Sequence, residues 1–338
     1  MDNARPHARF TATLVAGALV TLALAAVALA FGRFPLALPD VVTALVNRDD
    51  PSLAPSASLV VWNVRVPRVI GALLVGAALS AAGATFQQMF RNPLVAPDTL
   101  GVSSGAALGA VIGIFAGAGV VAIQALAFAG GLAAVGLVWM IASRMRALDP
   151  LVTLILTGIV VASLIGAAIS LLKYLADPYS TLPAITFWLL GSLAGFANAD
   201  IAAAAIPIAA AIAVLWLLRW RVNLLTLDDD EARTLGVPVR RLRALVICAA
   251  TLVTATAVAF AGIIGWVGLV VPHCARLVVG PEFTRLLPVS MLFGAAFMLA
   301  VDTLARTIAP IEIPPGVLTA FVGSPVFVYL LARVRRID

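Results

Sequence analysis

"RVPRVIGALLVGAALSAAGATFQQMFRNPL", Arg65 to Leu94, carries no charged side chain between Arg68 and Arg91. A helix over those uncharged positions is roughly 33 Å long at 1.5 Å per residue, enough to cross a hydrocarbon layer about 30 Å thick. Ala72, Gly76 and Ser80 follow one another every four positions. Small residues at that spacing let helix backbones approach closely in lipid, although a chain rich in Gly and Ala also produces the spacing by chance.

The rest of the chain is of the same kind. Its 338 residues are 62% hydrophobic and 11% charged, with a mean hydropathy of +1.09, too little polar surface for a soluble body of this size. The Ala, Leu and Val blocks do not alternate, which excludes a β-barrel and leaves an all-α, polytopic membrane protein. Gly, Pro and charge divide the apolar blocks into ten expected spans: 10–31, 65–89, 95–115, 119–141, 150–172, 199–219, 243–264, 266–280, 287–306 and 315–333. The first follows Arg5 and Arg9 as a signal peptide would, but its apolar run is too long for a cleaved h-region and is expected to be retained. Residues 33–64 and 173–198 are too polar to span and are expected as outer loops, with "LPAITFWLLGSL" forming a short helix that lies at the surface or re-enters. Thr-Leu-Gly-Val occurs twice, too little for an internal repeat, and residues 1–338 read as one transmembrane domain.

Charge tests the count. The formal charge is +6 and Lys173 is the only lysine. Ten spans with both termini in the cytoplasm put 16 of the 22 basic residues at inner ends and six (Arg33, Arg48, Arg65, Arg68, Lys173, Arg306) at outer ends. The positive-inside rule accounts for that asymmetry, so no nucleic-acid partner is implied. Cys248 and Cys274 lie in apolar stretches and read as small buried hydrophobes.

Bond chemistry is unsupported. There is no HExxH, no metal-ligand cluster and no nucleophile triad, so neither an enzyme nor a bound metal or cofactor is expected. His273, in "VPHCAR", is expected to be a hydrogen-bonded structural side chain rather than a ligand for a metal chelate. A Walker A loop needs Gly-Lys-Ser/Thr, and the single lysine has no glycine before it, so ATP would be hydrolysed on another polypeptide. Mid-span carboxylates, which a proton- or sodium-driven carrier requires, are not expected: Asp302 pairs with Arg306 at i,i+4 near an outer end, and Glu312 falls in an outer turn.

One long inner polar segment remains, about 221–242. Within it "DDDEARTLGVPVRRLR", Asp228 to Arg243, places four acids in a row before four arginines. The acids suit the positive end of a short helix that Gly236 and Pro238 stop. Physics alone supports equally a solvated loop anchored by Arg240, Arg241 and Arg243 and a docking lever for a cytoplasmic partner.

Arg65–Ala110, "FWLLGSLAG", "DDDEARTLGV", "GIIGWVGLVVPHCARLVVG" and "VDTLARTIAPIEIPPGVLTAFVGSPVFVYLL" together resemble the FecCD family, permease subunits of type II ABC importers for iron-siderophores, haem and cobalamin. The resemblance implies a homodimer in a bacterial inner membrane with two cytoplasmic ABC ATPase subunits below and a periplasmic substrate-binding protein above. It implies coupling to the ATPase through Asp229, Glu231, Ala232, Leu235, Gly236 and Val237, and docking of the binding protein at Arg65, Arg68 and Arg306. Asn92 and Leu94 match a cytoplasmic gate, and Leu151 and Val152 fall at the neighbouring gate position by spacing. Relatives carrying cobalamin have small hydroxyl residues there, so this gate is more apolar. The expected cargo is an iron chelate, haem or a ferric siderophore, with cobalamin as the alternative; an ATP-independent carrier is disfavoured by the lack of midplane acids.

Overall fold

Helix α4 (Val66–Met89) is the centre of the molecule, and its sequence explains why. A helix that is small and apolar all round has no face to turn toward lipid in preference, so other helices surround it. The computed structural model describes residues 4–48, 50–51, 53–145 and 150–334, and it buries α4 among α9 (Asn198–Leu224), α11 (Val239–Ala261), α12 (Val267–Val279) and α13 (Phe283–Thr307). The small-residue face seen in the sequence is the contact with α13. A Cβ on Gly76 would stand 2.2 Å from the carbonyl oxygen of Gly294, and one on Gly294 would stand 2.0 Å from the Ser80 hydroxyl. One helical turn further along, a Cβ on Gly83 would fall 1.8 Å from the Gly268 oxygen of α12. Only hydrogen at these positions lets the backbones touch.

Around this centre lie α1 (Ala4–Ala30), α5 (Val102–Phe115), α6 (Val120–Ala142), α7 (Pro150–Leu175) and α14 (Pro315–Val334). Among the described residues every regular element is helical, and seven helices are long and apolar enough to cross a membrane. Those seven occupy the expected spans beginning at 10, 65, 119, 150, 199, 243 and 287. The three remaining expected spans hold shorter apolar helices, Val102–Phe115, Val267–Val279 and the Pro315–Tyr329 part of α14. Of the expected inner cations, Arg146, Arg335 and Arg336 lie outside the described residues.

Several boundaries differ from the sequence expectation. The span placed at 243–264 runs from Val239 to Ala261 and stops where Gly262 turns to φ 67°, followed by Trp266 at φ 69°. The span placed from 95 begins as a helix only at Val102, because Pro97–Leu100 forms a 3₁₀ turn closed by Gly101 at φ 77°. Residues 33–64 are not a plain loop: they contain α2 (Leu38–Val46) and α3 (Pro55–Val60), and α3 continues through a π turn (Val61–Arg65) into α4. The short "LPAITFWLLGSL" helix exists as α8 (Thr181–Leu189).

Candidate functional site

Two charge clusters close the two ends of the bundle. At the end where α4 stops, α10 (Asp229–Thr234) forms from the acidic start of the polar segment, with three acids in its first turn and Gly236 at φ 78° ending it. Ala232 and Val237 pack inward, while Leu235 is 62% exposed and Glu231 points to solvent. α10 is thus anchored by two apolar side chains and presents a free apolar knob beside an acid.

The anchoring is also ionic. The Arg243 guanidinium, from the first turns of α11, donates to both oxygens of Asp229, at 2.9 and 2.6 Å. Arg91, just beyond the end of α4, reaches across to the same segment. It donates to the Leu225 carbonyl at 3.1 Å, to the Leu227 carbonyl and to the Asp228 carboxylate at 2.8 Å, and it lies 3.8 Å from Asp229. Arg91 adopts φ 50°, a left-handed conformation that a non-glycine residue holds only where its surroundings insist on it. The next residue, Asn92, accepts the Leu94 backbone N–H on its side-chain oxygen at 2.9 Å, an Asx turn that leaves Leu94 exposed. The expected gate residues Asn92 and Leu94 and the expected coupling residues are therefore strapped together through one arginine. Leu151 lies in the first turn of α7 and lines a cavity shared with Asp229 and Arg243; Val152 beside it is exposed. Sequence reasoning missed Arg91, because its acceptors are mostly main-chain oxygens, which leave no mark in a side-chain pattern.

At the opposite end the three expected docking arginines are buried and engaged within the chain. Arg65 donates to the carbonyls of Leu29 (2.5 Å), Ala30 (2.8 Å) and Phe34 (2.6 Å), and Arg306 donates to that of Ala28 at 2.6 Å. Both guanidinia thus satisfy the last turn of α1, where unpaired carbonyls attract cations. Arg68 grips Asp302 at 2.9 and 3.0 Å and Glu312 at 2.5 Å. The expected Asp302–Arg306 pair is present at 3.4 Å. Arg306, together with the exposed Arg33, borders an open cavity about 530 Å³ in volume. Direct contact with a partner at Arg65 or Arg68 requires those side chains to abandon their internal acceptors.

One further expectation is corrected. His273 is buried, but neither ring nitrogen has a hydrogen-bond partner, so it is not the hydrogen-bonded histidine foreseen. Asp98, which falls within the expected 95–115 span, is exposed. Asp98 sits in the 3₁₀ turn before α5 and accepts from the Ser103 hydroxyl. The neighbouring Thr99 carbonyl packs on Gly158, eight residues or about 12 Å into α7.

Comparison with known proteins decides the family. The FecCD transport family model matches residues 19–333, nearly the whole chain. The chain belongs to the FecCD transport family. It is a permease subunit of the ABC-transporter type. It is 38% identical over 319 residues to the molybdate import system permease protein MolB of Haemophilus influenzae, covering 94% of each protein. It is 41% identical over 316 residues to the cobalamin import system permease protein BtuC of Halobacterium salinarum, covering 93% of this chain and 84% of that one. A solved structure described as an inward-facing conformation of a metal-chelate type ABC transporter superposes with a TM-score of 0.86 at 38% identity, over 95% of this chain and 98% of the other. The FecCD permease described here shares its fold with that transporter throughout.

Proposed function

We infer that this FecCD permease forms a homodimer in a bacterial inner membrane and imports an iron chelate, haem or a ferric siderophore, from periplasm to cytoplasm. ATP hydrolysis occurs on two separate ABC ATPase subunits bound at the α10 end, which faces the cytoplasm together with both termini. Ten membrane crossings follow if the three shorter apolar helices complete their spans with flanking irregular chain, as protein-enclosed backbone allows.

The observation that carries this reading is the Arg91 strap. A six-residue helix with Leu235 exposed at its end has no packing reason to hold that side chain in water, whereas a cleft in a partner would receive it. Whatever moves α10 pulls Asp228, Asp229 and the Leu225–Leu227 carbonyls, and through Arg91 it pulls the Asn92 turn. Arg243 and Leu151, on one cavity wall with Asp229, extend the motion to the start of α7. At the far end an acidic group of the binding protein would enter the cavity at Arg33 and Arg306. Arg65 and Arg68 stand behind, holding α1 and the Glu312 turn.

Names among similar proteins span molybdate and cobalamin, so cargo needs its own measurement. Proteoliposomes carrying the permease with its ATPase and binding protein are given ferric siderophore, haem, cobalamin and molybdate in parallel. ATP-dependent accumulation of an iron chelate above the other cargoes supports the assignment. Accumulation driven by an ion gradient without the ATPase overturns the mechanism, and preference for cobalamin overturns the cargo alone.

A further inference from the structure

Two cavities near the α10 end share a wall. One, about 390 Å³, lies between the end of α6, the start of α7 and α10–α11; Trp139, Arg233, Arg240 and Arg243 line it, with Asp229 the one acid among the described residues that do. The other, about 280 Å³, is a groove between α6 and α11 whose walls are almost wholly apolar, among them Leu132, Gly136, Ala244 and Ile247. Trp139 borders both. Exposed Leu137, Met140 and Leu245 flank the groove, so it opens on the surface that the bilayer covers.

The polar end carries more positive charge than its own acids neutralise. Arg233 meets Asp230 at the surface, and Arg243 clamps Asp229. Arg243 is nevertheless only 8% exposed, and its Nε is buried with no acceptor. Arg240 is exposed into the cavity and makes no ion pair among the described residues. Among the described residues three arginines therefore face one carboxylate across a space that shares the Trp139 side chain with an apolar slot. The slot is open at Gly136, where a Cβ would meet nothing within 4 Å. From Leu132 to Trp139 it extends about 10 Å along α6. A soluble anion would neutralise the arginines and leave the slot empty, and an apolar peptide would do the reverse. A phosphate joined to an acyl chain does both, and basic pockets between helices at the inner leaflet suit such headgroups. Trp139 stands at the junction, where an indole bridges headgroup and hydrocarbon.

We propose that these adjoining cavities bind one anionic phospholipid, its phosphate at Arg240 and Arg243 and one acyl chain in the α6–α11 groove. The bound headgroup touches the arginine that holds Asp229 and faces Leu151, so the lipid braces α10 against the start of α7. The site requires only that the chain spans a bilayer, and it stands whether or not the transport reading does.

The test uses the purified permease in phosphatidylcholine nanodiscs doped with dibrominated phosphatidylglycerol or dibrominated phosphatidylcholine. Quenching of Trp139 is read as the difference between the native chain and Trp139→Phe. The phosphatidylglycerol probe is expected to quench at several-fold lower mole fraction. Arg240→Gln, on an exposed side chain away from the core, should reduce that preference about five-fold, and Arg233→Gln with Arg240→Gln further. Gly136→Leu, which fills open space, should abolish quenching by either lipid. Equal quenching by the two lipids overturns the proposal. So does a preference that survives the double arginine variant, or quenching that survives Gly136→Leu.

Discussion

Arg91→Gln tests the link between lever and gate. The arginine makes two hydrogen bonds to main-chain carbonyls, an ion pair with Asp228 and a longer one, at 3.8 Å, with Asp229. Asp228 is 81% exposed, so the ion pair contributes little. The two carbonyl bonds contribute about 1 kcal/mol each, and with the Arg91 side chain 32% exposed the strap as a whole is worth on the order of 1–2 kcal/mol. That range corresponds to a loss of about five- to thirty-fold in the population holding loop and gate together. Glutamine at 91 cannot span the distance. The ATPase should still bind, because Leu235, Ala232 and Val237 are untouched. The expected phenotype is therefore uncoupling: unchanged co-purification, unchanged ATP hydrolysis, and cargo imported per ATP reduced about five- to thirty-fold. Arg91→Lys keeps the charge but not the fork and should fall between. Transport and hydrolysis measured on the same proteoliposomes give the ratio. If Arg91→Gln lowers both rates together, with the ratio unchanged, Arg91 serves stability or assembly and the strap argument is wrong.

Leu235→Glu should leave the melting temperature of the permease unchanged, since the side chain is 62% exposed, yet abolish ATPase co-purification; retained co-purification would remove α10 from the interface. Gly83→Ala should lower thermal stability in detergent by about 2 kcal/mol or more, because its Cβ would meet the Gly268 oxygen at 1.8 Å and both partners are backbone. Asp302→Asn strips the buried Arg68 and Arg306 of a shared counter-charge and should cost about 3–5 kcal/mol, read from denaturation, whereas Arg33→Gln at the surface should cost almost nothing.

Much of this architecture could be read from composition alone, because a bilayer demands apolar runs of a set length. The ten expected segments each hold a helix. Where the expectation slipped, the cause was local. Pro39 and Pro55 fall in the first turns of α2 and α3, a start signal that the reading of 33–64 as loop overlooked. The break before α5 depends on Pro97 and on Gly101 in a left-handed conformation, which hydropathy does not register. The site was half visible. Acids before arginines announced α10, whereas Asp229 was expected only as an ATPase contact, through the family resemblance. Its grip by Arg243, fourteen residues away, and the approach of Arg91 from another helix depend on tertiary placement. The same holds for Arg65 and Arg306, whose acceptors are the bare carbonyls that end α1.

The two clusters differ in what it costs to open them. Asp302 and Arg68 have side-chain exposures of 2% and 8%; parting them would strand charge in a low-dielectric interior, so that knot opens only at a cost comparable to unfolding a helix end. At the α10 end Asp228 is 81% exposed and Asp229 and Arg91 are each 32% exposed. Water can replace any of those contacts as they break, so rearrangement there costs little and can be driven by a partner's closure. The Asp302 knot is thus costlier to open than the Arg91 contacts, although the Arg243 side chain that clamps Asp229 is itself only 10% exposed. The proposed engagement of α10 by the ATPase would act on the end whose Arg91 contacts cost less to break.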